Sequence, residues 1–184
     1  MRIAHILSAS AIFALAACGQ AAAPSSADAQ STAQTSATAT SNAEATAAEK
    51  TAILAALHLT ADARGLVMNE CNDRVTPTYT PADVGLGRTI LFAMGGGPIG
   101  GYTCYGDGPD LHLMQRNGGG WREIYGSRGG FMVILPTTQN GAHDLAFGGP
   151  GMSHARYRWS GSAYVQAGEV SDDAIGNAQV LPNG

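Results

Sequence analysis

The sequence has few charged residues. Aspartate, glutamate, lysine and arginine make up 13% of its 184 residues, about half the usual share, and Lys50 is the single lysine. The formal net charge is −4, so the chain lacks the basic footprint of a protein that binds nucleic acid. Long apolar runs are also missing at the N-terminus, where the apolar stretch Ile3–Ala17 is too short to span a membrane permanently.

The N-terminal residues have the features of an export signal. Met1-Arg2 gives a short basic start before the apolar stretch, so residues 1–17 are predicted to be a signal peptide. The signal ends in Leu15-Ala16-Ala17-Cys18, which resembles the lipobox of bacterial lipoproteins. The resemblance implies that the Cys18 thiol carries diacylglycerol, with palmitate among the chains, and becomes the first residue of the mature protein. An ordinary secretory signal with a coincidental cysteine is the open alternative.

The residue after Cys18 bears on the destination of the chain. Gly19 stands there and not aspartate, so nothing resembles the signal that retains enteric lipoproteins in the inner membrane. We therefore expect a lipid-anchored protein of the cell envelope, at the periplasmic face of the outer membrane, with exposure on the cell surface left open.

Two cysteines remain once Cys18 is assigned to the anchor. Cys71 and Cys104 are an even pair in an oxidising compartment, which predicts a disulfide between them. Closing a loop of this size stabilises a protein by roughly 3–4 kcal/mol on the chain-entropy model. A reactive thiol or a metal pair fits less well, because the sequence contains no Cys-x-x-Cys.

A tether and a helix follow the anchor. No valine, leucine, isoleucine or aromatic residue occurs between Cys18 and Ile53, so residues 18–46 are expected to stay disordered, with a root-mean-square reach of about 30 Å. Thr46 and Glu49 have the spacing of a capping box and predict a helix over residues 47–59. Gly65 is the expected end of this unit, which comprises the helix and its exit over 47–65.

The remainder of the chain has the pattern of strands. Beyond Gly65 apolar residues alternate and glycine turns recur, which predicts a β domain over 66–168 and a flexible tail over 169–184. The expected fold class is mainly β, with antiparallel glycine-rich sheets, propeller-blade-like or two-sheet, and one N-terminal helix. The predicted strands are Val75–Thr80, Arg88–Met94, Tyr102–Tyr105, Asp110–Arg116, Trp121–Tyr125, Phe131–Leu135, His143–Phe147, His154–Trp159 and Ala163–Gln166.

Several segments from Asp83 onward resemble the FG-GAP or VCBS-like repeat of the integrin-α type, here in a degenerate form within a small bacterial lipoprotein. The matching segments are Asp83–Gly87 with Ile90–Phe92, Gly120–Arg122, Asn140–Leu145 and Tyr157–Tyr164. The resemblance implies four-stranded propeller blades, of which this chain has room for about two, and a calcium loop at Asp83. Gly85 and Gly87 offer no side-chain oxygen, so we expect a glycine turn there and no metal.

One polar row is a candidate contact site. His154, Arg156 and Arg158 alternate with Ala155, Tyr157 and Trp159, so the three polar side chains are expected on the outward face of one strand. Two guanidinium groups about 6–7 Å apart fit a carboxylate or phosphate. The alternative is that they pair with Glu123, Asp144 or Asp110 on neighbouring strands, or only make the face soluble.

The expected function follows from these features. We expect a non-enzymatic envelope lipoprotein, a binding or structural module without cofactor, metal or catalytic residues, whose partners are the membrane and an envelope protein or cell-wall component. One alternative is an inhibitor of a lytic enzyme or protease that acts through Gly95–Gly101 or Gly148–Ser153. Another is a hydrolase that uses His143 and Asp144.

Overall fold

The computed structural model describes residues 42–95, 108–148, 153–176 and 178–181. Its first element, helix α1 (Ala47–Ala56), begins at the predicted capping box. The Glu49 amide donates to the Thr46 hydroxyl over 3.2 Å, and the Thr46 amide donates to the Glu49 carboxylate over 2.9 Å. The helix ends earlier than predicted, with Leu57 as its C-cap, because His58 takes a left-handed φ of 56°.

Strands make up most of the described chain, and all pairs between them are antiparallel. In chain order the elements after α1 are β1 (Val67–Met68), β2 (Arg74–Val75), β3 (Thr78–Pro81), β4 (Thr89–Met94), β5 (Asp110–Asn117), β6 (Gly120–Arg128), β7 (Phe131–Gln139), β8 (Ala142–Gly148), β9 (His154–Trp159), β10 (Tyr164–Val170), α2 (Asp172–Ile175) and β11 (Gln179–Leu181).

The strands form a two-stranded hairpin, β1-β2, and two larger sheets. The four-stranded sheet has the order β3-β4-β5-β6, and the five-stranded sheet has the order β10-β9-β8-β7-β11. The predicted fold class, mainly β with antiparallel sheets after an N-terminal helix, is confirmed. The strand predicted over Val75–Thr80 is divided at Pro77, which has no amide to donate. The one predicted over Tyr102–Tyr105 lies outside the described residues.

The two larger sheets pack their inner faces together around one apolar core. Strand alternation supplies this core, since every second residue of each strand points inward. Its larger members are Leu91, Leu111, Leu113 and Ile124 from one sheet, and Met132, Ile134, Leu145, Phe147, Trp159, Tyr164 and Leu181 from the other.

Each sheet also has an apolar cover on its outer face. Helix α1 packs Ile53 against Ile90 and Phe92 on the four-stranded sheet. On the five-stranded sheet Val133 and Leu135 contact residues from the C-terminal part of the chain. Strand β7 is therefore apolar on both faces and lies inside the sheet, between β8 and β11. An unbroken apolar sequence is typical of a strand that is covered on both sides. No helix among the described residues is long and apolar enough to cross a membrane.

The prediction of a flexible tail over 169–184 is wrong for residues 169–176 and 178–181. Glu169 and Val170 continue β10, residues 172–175 form α2, and β11 pairs with β7. The physical reason is the spacing of apolar side chains. Ile175 and Ala178 cover the outer face of the sheet, and Leu181 is fully buried in the core between the sheets.

Candidate functional site

The outer face of β9 carries the predicted polar row. Trp159 is buried in the inner core and Tyr157 packs against it, while Arg156 and Arg158 reach the Asp144 carboxylate on β8. The predicted alternation is therefore confirmed, and the register of β8 and β9, which pairs Ala146 with Arg156, explains why this carboxylate meets the arginines.

Asp144 is the centre of this cluster. Its side chain is 1% exposed, and its Oδ2 accepts from the Thr137 hydroxyl at 2.9 Å and from Arg156 Nε at 3.0 Å. The Arg156 Nη2 group donates to the same oxygen. Oδ1 is buried as well and has no hydrogen-bond partner in the described part of the chain. A buried carboxylate needs such compensation, because an unpaired charge in the interior is costly.

Arg158 is the outer member of the cluster. Its Nε lies 3.7 Å from Asp144 Oδ2, and its side chain is 39% exposed. Val165, its cross-strand partner on β10, is 49% exposed. Two guanidinium groups thus share one carboxylate, which leaves one positive charge in excess. A guanidinium held in a fixed orientation can bind a carboxylate or phosphate through two parallel hydrogen bonds.

His154 is more buried than Arg158 and is less available for binding an anion. It is 9% exposed, its ring is tilted against Phe131 with 6.0 Å between centroids, and its Nε2 lies 3.0 Å from Asp172 Oδ1. A side chain at Gly148 would collide with the ring, so glycine is needed there. His154 therefore attaches the start of α2 to the sheet, and the expected three-residue contact row is reduced to the two arginines.

The hypothesis of a catalytic His143–Asp144 pair has no support in the geometry. The two residues are neighbours on β8, but Asp144 belongs to the arginine cluster and His143 Nδ1 lies 2.8 Å from the Leu135 carbonyl oxygen. The His143 carbonyl accepts from the Tyr164 hydroxyl at 2.9 Å. Burial, with a smaller contribution from the Asp144 charge, raises the pKa of Tyr164 far above its usual range, so this hydroxyl stays a donor.

The other acidic residues proposed as partners of the arginines have different roles. Glu123 accepts from His112, with Oε1 2.9 Å from Nδ1. Asp110 lies 3.8 Å from Arg128. Asp144 is thus the one carboxylate of the three that meets the pair. Thr137 and Asp172 were not predicted from the sequence, and their contacts depend on the bulge in β7 and on the course of the C-terminal residues.

Asp83 forms the expected turn. Its Oδ1 accepts from the Gly85 amide at 3.2 Å, and Gly85 has a φ of 82°. A Cβ at Gly85 would lie 2.7 Å from the Gly141 carbonyl oxygen, so the turn packs tightly against the β7–β8 turn. Among the residues that the structure describes, no group of three or more His, Cys, Asp or Glu side chains is placed to hold a metal ion.

The cysteine predictions depend on residues that the structure does not describe. Cys18 and Cys104 lie outside the described residues, so the lipid anchor and the disulfide stay predictions. Cys71 lies in the β1–β2 turn, where its amide donates to Asn69 Oδ1 at 3.0 Å. Most of the two glycine-rich loops proposed for an inhibitor, 95–101 and 148–153, also falls outside the described ranges.

Comparisons with protein-family models, with curated proteins and with solved structures find no match to this chain. The site must therefore be interpreted from its own geometry.

Proposed function

We propose that the mature protein is a non-enzymatic binding module of the bacterial cell envelope, anchored through Cys18, which recognises an anionic group at Arg158. The observation that carries this proposal is the sharing of the buried Asp144 carboxylate by Arg156 and Arg158. The partner is an envelope protein or a cell-wall component that presents a carboxylate or a phosphate.

The charge arrangement supports a role in binding. Arg156 makes the close contacts with Asp144 and neutralises its charge. Arg158 stands farther from the carboxylate, so its own charge is less compensated, and its Nε is buried without a hydrogen-bond partner among the described residues. An anionic group bound at this guanidinium would compensate the remaining charge.

The sequence before the domain supports the anchor. The lipobox-like Leu15–Cys18 favours lipid attachment at Cys18. The tether predicted over residues 18–46 is shorter than expected at its C-terminal end, because Arg88 binds the Ala43 and Glu44 carbonyls and Thr46 caps α1. Each buried CH₂ of an acyl chain contributes about 0.8 kcal/mol to membrane binding, so several chains on one cysteine hold the protein firmly. The degenerate FG-GAP-like segments agree with a module that presents a sheet face or a loop rim.

The binding proposal is tested by titrating the protein with phosphate and with acetate while arginine side-chain NMR signals are followed. We expect the Arg158 Nε signal to shift in a saturable way and Arg158→Gln to abolish the effect. Arg64→Gln is the matched control, because Arg64 is also an exposed arginine, with 74% of its side chain accessible. Equal shifts at Arg64 and Arg158, or none at Arg158, would contradict the proposal.

The anchor is tested separately. Metabolic labelling with palmitate is expected to label the protein but not the Cys18→Ser variant. On detergent phase partitioning, the protein should enter the detergent phase and Cys18→Ser should stay in the aqueous phase. Retention of label in Cys18→Ser would refute lipidation at this position without affecting the proposal for Arg158.

A further inference from the structure

A cavity of about 540 Å³ has lining residues on β3, β7, β8 and β11, and neither Arg156 nor Arg158 is among those described. It opens between β3 and β11, which are edge strands of the two larger sheets. Thr80 and Pro81 line it from one edge, and Gln179 and Leu181 line it from the other. Its volume lies within the range of small-molecule sites.

His143 provides an oriented hydrogen-bond acceptor in the lining. Its amide donates to the Val84 carbonyl at 2.9 Å and its carbonyl accepts from Tyr164, so the backbone is fixed on both sides of the ring. Nδ1 lies 2.8 Å from the Leu135 carbonyl, which can only accept, so Nδ1 carries a proton. In the neutral ring Nε2 is then an acceptor, and it makes no hydrogen bond with any described residue.

Asp83 adds a negative charge to the same lining. One of its carboxylate oxygens accepts from Gly85, and the other is without a hydrogen bond in the described part of the chain. The described residues that line the cavity include neither lysine nor arginine. Asn42, Thr80 and Gln179 also line the cavity and can each donate or accept a hydrogen bond, so the Asp83 carboxylate is what favours a ligand with positive charge.

The remaining lining is apolar. Its apolar floor is the accessible surface of Pro81, Pro136 and Ala178, beside the buried side chains of Ile134, Leu135 and Leu181. Such a surface suits a short chain of methylene groups, because burying each one contributes about 0.8 kcal/mol. The negative charge of Asp83 and the apolar floor together favour a ligand with an amine at the end of an alkyl chain.

We propose that this cavity binds an alkylammonium group, with the ammonium recognised by the Asp83 carboxylate and His143 Nε2 and the alkyl chain on the apolar floor. The group can belong to a lysine side chain in an extended peptide or to a small free amine. This site is separate from the anion site at Arg158, and each can fail without the other.

The test is calorimetry of the full mature chain with 1,5-diaminopentane, with an acetylated and amidated lysine tripeptide, and with 1-pentanol as the neutral control. We expect the amines to bind at least about tenfold more tightly than pentanol, since charged hydrogen bonds are worth that much. Equal affinity for pentanol, or no binding of either amine at millimolar concentration, overturns the proposal.

Variants locate the site. Asp83→Asn keeps the side-chain bond to the turn and removes the charge, so it should weaken amine binding about tenfold without unfolding the domain. Arg158→Gln should leave amine binding unchanged. Binding that survives in Asp83→Asn places the amine elsewhere and also overturns the proposal. A preference for the tripeptide identifies a peptide partner, whereas equal binding shows that the ammonium group alone is recognised.

Discussion

Arg88 donates two parallel hydrogen bonds to the carboxylate of Glu49. Its Nε and Nη2 atoms each lie 3.0 Å from a different carboxylate oxygen, and the two side chains are only 9% and 11% exposed. The contact joins helix α1 to the turn before β4. The hydrogen bond from Arg88 is the largest cause that lowers the pKa of Glu49 to about 2, against an unfolded value of 4.5.

The ion pair between Arg88 and Glu49 makes the free energy of unfolding depend on pH. Because the folded pKa of Glu49 is depressed, its contribution is complete above pH 4.5 and is lost as the pH falls toward 2. Glu49→Gln retains the capping box but not the charge. We expect it to lower the free energy of unfolding by about 2 kcal/mol at pH 7 and by much less near pH 2, as measured by urea denaturation. An equal loss at both pH values would contradict this explanation.

The Asp144 cluster predicts a contrast between two substitutions. Asp144→Asn removes the charge that compensates Arg156 and should destabilise the domain by about 3 kcal/mol. Arg158→Gln removes a half-exposed group at 3.7 Å and should cost less than about 1 kcal/mol. Chemical denaturation of both variants checks the difference, and similar losses would show that Arg158 is the structural partner of Asp144.

Two glycines with similar φ angles allow the cost of disturbing the contact between the two turns to be measured separately from the cost of backbone strain. Gly85 and Gly87 have φ values of 82° and 74°, but a Cβ meets the Gly141 oxygen only at Gly85. Gly87→Ala should cost about 1 kcal/mol from backbone strain alone, and Gly85→Ala about 2 kcal/mol more. Thermal unfolding of the two variants measures the excess. Equal melting temperatures would mean that the turns move apart at little cost.

The predicted disulfide between Cys71 and Cys104 can be tested directly. Protein exported to the periplasm should take up no alkylating reagent at these cysteines unless it is first reduced. Either Cys71→Ser or Cys104→Ser should then lower the free energy of unfolding by roughly 3 kcal/mol. Alkylation of both thiols without reductant would show that the two cysteines are not joined in a disulfide.

Local signals in the sequence were sufficient for much of the fold. The spacing of Thr46 and Glu49 identified the start of α1, and strict alternation identified which side of β9 is buried. The Asp144 cluster could only be predicted as one of three pairings, because strand register decides which carboxylate meets Arg156. The contact with Thr137 depends further on a register shift in β7 that no local pattern reveals.

The C-terminal strand β11 shows a second reason why the sequence alone could not predict the whole fold. Residues 179–181 are too short and too mixed in character to predict a strand alone, and they become one through pairing with β7 and burial of Leu181. Propensity is weak for so short a segment, and tertiary contacts decide its structure.

The position of β11 also determines when the domain can finish folding. Leu181 pairs with Met132, a residue made much earlier, so the five-stranded sheet lacks its last strand until synthesis of the chain has passed Leu181. Until then one side of β7 lacks the strand that it pairs with in the folded domain, and an open strand edge can pair with another chain. When β11 is added, it replaces an open edge of nine residues with one of three.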